Sequence, residues 1–112
     1  MSVVKIDTRK ITDWNSFHEV FRALIGFPVT YGNNMDAWID CMTSLDNPSA
    51  GMSKIHTIRG SVVCLLLEHV EDFELRCPEM MMALHDATAF VNWRRIEKGE
   101  PPVLTLAYFR GA

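Results

Sequence analysis

The sequence is poor in the features that mark export, membranes and cofactors. It has three cysteines in 112 residues, Cys41, Cys64 and Cys77. An odd number with no Cys-x-x-Cys spacing does not suit a disulfide framework, and reduced thiols are expected. The longest uninterrupted apolar run, Val62-Val63-Cys64-Leu65-Leu66-Leu67, is far short of the roughly 20 residues a membrane helix needs. The opening Met1-Ser2-Val3-Val4-Lys5 lacks the charged-then-apolar plan of a signal peptide, so a cytoplasmic protein with no membrane partner is expected.

Catalytic and metal signatures are also missing. There is no Gly-rich phosphate loop, nucleophile elbow or His-Glu-x-x-His, and His18, His56, His69 and His85 are scattered. Cys64, His69 and Cys77 make a poor metal set because Cys64 lies in the apolar run. The reading is therefore of no metal, no cofactor and no enzyme. Positive charge is not in excess either: 11 Lys and Arg against 14 Asp and Glu leave a net charge of −3. That balance argues against direct binding of nucleic acid and favours a basic protein partner.

What is present suits one domain over 1–112, since 48% hydrophobic residues spread along the chain can fill one core. Val3-Val4-Lys5-Ile6-Asp7 reads as a first strand. Trp14, Phe17, Phe21 and Leu24 recur at helical spacing, with Thr12, Asp13 or Asn15 to cap the helix and Gly26 to stop it. The stretch from Phe27 to Asn34 holds a proline and a glycine and reads as a loop into a second helix over 35–45. A polar, breaker-rich segment over 46–60 follows and reads as the most mobile part.

The apolar run within 61–68 predicts a central strand covered on both faces. Residues 71–75 suggest a short helical turn, Pro78 opens a long helix to about Lys98, and 103–109 close the chain as a third strand. The order predicts a small α/β protein, of two or three layers, with a mainly parallel three-stranded sheet and three to four helices.

The second helix is the most informative element. On a wheel of about 100° per residue, Asp36, Asp40, Thr43 and Ser44 share one arc, and every other residue is apolar. The helix dipole favours Asp36, but Asp40 lies one turn on from a like charge, so local stability does not explain it. A cationic partner would explain it, with Tyr31, Asn33 and Asn34 of the preceding loop beside it. The plainer alternative is the solvated face of an amphipathic helix; a catalytic carboxylate pair has no nearby His or Lys to support it.

Tyr31-Gly32-Asn33-Asn34-Met35-Asp36-Ala37-Trp38-Ile39-Asp40-Cys41-Met42-Thr43 resembles the Tyr-Gly-x-Asn-Leu-Asp-Ala-Leu-Trp-Asp-Cys-Leu-Thr signature of barstar-type ribonuclease inhibitors. The segment from Trp14 to Leu24, including His18, is similar to that family's first helix. The likeness is specific through about residue 45 and architectural beyond it. It implies a protein that plugs the active site of a basic ribonuclease, or of a related toxin nuclease as an immunity protein, imitating RNA phosphates with carboxylates. Asp36, Asp40 and Thr43 then fall on contact positions, Asp40 as principal anchor, with Tyr31 and Ile39 as apolar contacts.

Three departures accompany the likeness. The family's contact tryptophan falls on Ile39, Thr30 stands where an aromatic is usual, and the last helix ends in Arg94, Arg95 and Lys98 where the family presents acids. Only Glu97 and Glu100 are acidic there, and of these Glu97 is taken as a contact. A non-inhibitory binding or regulatory module on the same scaffold is the second reading. The Trp93-Arg94-Arg95 cluster could touch nucleic acid, but a helix end favours positive charge anyway, so Arg94 and Arg95 are expected to be solvated cations. Met82, Ala89, Trp93 and Ile96, off the core stripe of Met80, Leu84, Ala87 and Val91, either cover the 46–59 loop or form a second contact surface or homodimer face.

Overall fold

A computed structural model describes residues 1–110. Three strands, β1 (Ser2–Asp7), β2 (Val63–Glu68) and β3 (Leu104–Tyr108), form a parallel sheet in the order β1-β2-β3. Helices α1 (Trp14–Phe21) and α2 (Met35–Thr43) connect the first two strands, and α3 (Val70–Arg76) and α4 (Pro78–Glu97) the last two. Two right-handed crossovers that advance in the same direction place their helices on the same face of a sheet. Burial follows that rule. Val4 and Ile6 of β1, Val63, Leu65 and Leu67 of β2 and Leu104 of β3 are buried, whereas Val3 and Lys5 are exposed and Leu66, Thr105 and Ala107 half-buried.

The fold is thus α/β with a central β2, as the sequence predicts, and of the two layerings expected it takes the two-layer form. The apolar run in β2 does not reflect cover on both faces. Cys64 and Leu66 point outward between Val3, Lys5, Thr105 and Ala107 of the flanking strands, which shield a central strand's outer side chains without a second helical layer.

Helix α1 starts at Asp13, the one of three candidate caps that is used. Its carboxylate accepts from the Ser16 amide at 2.7 Å while the Asp13 amide donates to Ser16 Oγ at 3.0 Å, a reciprocal capping box. After Phe21 the helix widens into a π turn over Arg22–Gly26. The wider turn rotates the buried stripe, so Ile25 enters the core and the expected Leu24 is left partly exposed, as is Trp14. Phe17, Phe21 and Trp38 pack around one another beneath the sheet's inner face, Phe21 and Trp38 edge to face at 5.7 Å.

The 46–60 segment is tied down despite its breaker-rich sequence. The amides of Lys54 and Ile55 both donate to the Ile25 carbonyl, that of Thr57 donates to the Leu45 carbonyl, and Met52 and Ile55 pack on the core. The segment does not cover the outer side of α4: Met82, Ala89, Phe90, Trp93 and Ile96 stay exposed. Helix α4 buries Met80, Leu84, Ala87 and Val91 as expected and ends where Gly99 takes a positive φ of 77°. Asn92 ties it to the sheet, accepting from the Val103 and Leu104 amides and donating to the Leu104 carbonyl.

Gly26 is the tightest backbone position. Its φ is +76°, and a Cβ there would lie 2.5 Å from the Lys54 Cβ, whereas Gly51, at φ +69°, has open space around it. Left-handed backbone alone costs an L-residue about 1 to 2 kcal/mol. Urea melts should therefore show Gly51→Ala losing about that much and Gly26→Ala losing about 1 kcal/mol or more beyond it, because the clash adds to the strain. Equal losses would mean that the close approach of the 46–60 segment carries no energy.

Candidate functional site

Asn34 positions α2. Its Oδ1 accepts from the Ala37 amide at 2.8 Å as the N-cap and its Nδ2 donates to the Gly32 carbonyl at 3.2 Å, so this side chain is committed to holding the helix start. Asn33, before it, sits at φ 52°, a left-handed position that asparagine tolerates, with its side chain exposed. The inner face of α2 is buried through Trp38, Cys41 and Met42, with Leu45 following, and Ile39 is half-buried on its flank. Burial and the neighbouring Asp40 charge push the Cys41 thiol up to about 11, which keeps it protonated at neutral pH.

The opposite face carries the acids. Asp36 is exposed in the first turn and has no partner among the described residues. Asp40, one turn on, is 57% exposed, and its Oδ1 accepts from Arg94 Nη1 of α4 at 3.1 Å. Thr43 is half-buried and its hydroxyl donates to the Ile39 carbonyl at 2.6 Å, which leaves the oxygen free to accept. Ser44 ends the helix. Asp40, Thr43 and Ser44 come together with Arg94 and Lys98 along an open cleft of about 540 Å³ between α2 and α4.

Of the other predicted site residues, Asn33, Asn34, Asp36 and Ile39 lie at the start and along the flank of α2 outside this cleft, and Tyr31 and Glu97 lie off that helix. Tyr31 is buried, its hydroxyl 2.6 Å from His18 Nδ1 and its ring 4.6 Å from that of Phe27. Its ring is turned to Phe27 and His18 in the wall of the loop, and burial raises its phenol well above the usual range. The phenol satisfies a buried histidine, a role its place before the Gly-Asn-Asn turn does not reveal. Glu97 is exposed on α4 but does not line the cleft.

Arg95 overturns a sequence expectation most clearly. It is not a solvated helix-end cation: its side chain is 3% exposed and forms a two-pronged pair with Asp46, itself 8% exposed, at 2.5 and 3.0 Å. It also donates to the Thr43 carbonyl at 2.7 Å and the Pro101 carbonyl at 2.8 Å, and lies 3.3 Å from Glu100. One guanidinium thus caps the end of α2, holds the start of the following loop and fastens the connection into β3. The spacing held a signal for this, since 84, 87, 91 and 95 continue one buried stripe.

The family model described as "Barstar (barnase inhibitor)" matches residues 1–106. The chain belongs to the barstar family. No curated protein matches it. Membership fits the parallel sheet and the acidic α2 of this structure, and it indicates a barnase-like ribonuclease inhibitor or a related role. The Asp40 to Arg94 pair lies on the face where this barstar-family chain carries its acids.

Two outcomes follow for stability. Asp46→Ala leaves Arg95 buried with only Glu100 as a charge partner, and removing one member of a buried pair costs about 3 kcal/mol. Chemical denaturation should show that loss. His18 supplies a pH dependence: burial lowers its pKa below 6.5, so the folded chain resists a proton that the unfolded chain accepts. This contribution is complete above about pH 6.5 and declines as pH falls through it. His18→Gln should flatten the slope of melting temperature against pH between roughly 7 and 5. An unchanged slope would remove His18 as the cause.

Proposed function

We propose that this chain is a cytoplasmic, non-catalytic inhibitor of a basic ribonuclease, or an immunity protein against a related toxin nuclease, acting as a single barstar-like domain. The observation that carries the reading is the division of α2. Asp36 and Asp40 face outward on a helix whose other side is packed into the core and whose end is fixed by Arg95. Such a surface loses little conformational freedom on docking, so charge-assisted contacts with a cationic active site are not offset by ordering the helix. Asp40 is the main anchor and Asp36 the second. Thr43 and Asn33 add hydrogen bonds, Ser44 extends the polar edge, and Ile39 supplies the apolar contact at the position where the family has tryptophan. Asn34 contributes by holding the helix start.

The second reading, a binding module that does not inhibit a nuclease, is favoured by one observation: Asp40 already has a cation of its own in Arg94. Affinity capture from the native host, followed by an RNA-cleavage assay of what is retained, separates the two. The inhibitor reading expects a ribonuclease that the chain silences at a stoichiometric ratio; retention of partners without nuclease activity supports the second. With that ribonuclease in a calorimeter, Asp40→Ala and Asp36→Ala should each weaken binding tenfold or more, a change of about 1.4 kcal/mol per decade, with the melting temperature kept. Native affinity in both variants would refute the role given to α2.

A further inference from the structure

The cleft beside Asp40 carries both signs of charge, and all three of the acids that line it are already engaged. Asp46 and Glu100 line it but are turned to Arg95. Arg94 uses one of its five N–H donors on Asp40 and has no other partner among the described residues. Lys98, one helical turn on and lining the same cleft, is exposed with no acid in ion-pair range among the described residues. The uncommitted charge at this end of the α2 surface is therefore positive, while Asp36 at the other end is free and negative.

We infer that Arg94 determines specificity at this surface: the partner protein carries an acidic side chain beside its cation, so that docking exchanges the internal Asp40 to Arg94 pair for two pairs across the interface. This rests on the reading of α2 as the partner-binding surface. The internal pair is suited to such an exchange. With side chains 57% and 32% exposed and one hydrogen bond, it is a surface pair, weak and screened by salt. A partner face bearing cations alone would cover Arg94 and Lys98 with like charge, and burying unpaired like charges is strongly unfavourable. The same residues that admit a bipolar partner reject a wholly basic one. A polyanion such as RNA would satisfy Arg94 and Lys98 but would be repelled by Asp36 and Asp40.

The test uses barnase as probe, because a site that cleaves RNA must receive phosphate charge and so presents cations. Native chain, Arg94→Gln and Arg94→Glu are titrated into barnase at low salt by calorimetry and by inhibition of RNA cleavage, with thermal melts to confirm folding. Arg94→Gln should bind barnase at least tenfold more tightly than the native chain, and Arg94→Glu more tightly still. Equal or weaker affinity in folded variants overturns the inference. So does failure of all three to bind, since the obstacle it names has then been removed without effect. Asp36→Ala in the Arg94→Glu background separates the two levels: a drop in affinity without any gain from Arg94 overturns only the role of Arg94, whereas no effect of either change overturns the α2 reading as well. Salt-sensitive binding of an RNA oligonucleotide by the native chain, lost in Lys98→Gln, would also overturn the inference by making the cleft a polyanion site.

Discussion

One buried guanidinium sets the geometry on which the acidic surface depends. Arg95 is anchored in α4 by its backbone, reaches the last turn of α2 through the Thr43 carbonyl and closes on Asp46 just beyond it. Helix ends leave carbonyls without partners, and a short helix such as α2 has little cooperativity of its own to hold its last turn. Asn34 fixes one end and Arg95 the other, with the aromatic cluster around Trp38 beneath. The positions of Asp36 and Asp40 relative to α4 follow from these three constraints. A buried ion pair is weak support for stability as such, because desolvation offsets attraction, but its directional hydrogen bonds permit one arrangement and penalise others. Here that arrangement brings Arg94, the residue next to Arg95, up to Asp40.

Adjacent arginines therefore serve opposite ends. Arg95 is engaged on several sides inside the fold and Arg94 on one side at the surface. Neighbouring residues on a helix point about 100° apart, so when one is held inward the other must emerge along the edge of the cleft. The same rule places Trp93 on the outer side of α4, where its ring lies 5.8 Å from that of Phe90. The charge of this edge is thus a consequence of how α4 is pinned.

Much of the architecture was legible in the sequence because it depends on local pattern. The β-branched run of β1, Pro78 and Gly99 around α4, and the two-sided composition of α2 state their structure within a few residues, and the apolar run of β2 states a central strand but not how many of its faces are covered. What escaped depended on contacts far apart in sequence. Cover on one face of β2 instead of two is set by the hand of two crossovers. Burial of Arg95 needs Asp46, and burial of Tyr31 needs His18. Arginine at a helix end is solvated in the commonest case, and only its place on the stripe through Leu84, Ala87 and Val91 argued otherwise. The π turn after Phe21, which exchanges Leu24 for Ile25 in the core, leaves no periodic trace because it breaks the period.

The acidic site itself was visible as residue types but not as a charge distribution. Reading α2 alone gives two carboxylates in one arc; adding α4 gives a carboxylate already shared with a cation and a second cation beyond it. The difference matters because an interface responds to the charge that remains after internal pairing. A surface that stays net negative favours any basic protein, whereas one that alternates in sign along a cleft is matched by few partners and penalises the rest as each unmatched charge loses water. In this chain the cation that faces Asp40 belongs to the surface alone, so the charge of the cleft can change at Arg94 while the core, the caps and the buried Arg95 remain as they are.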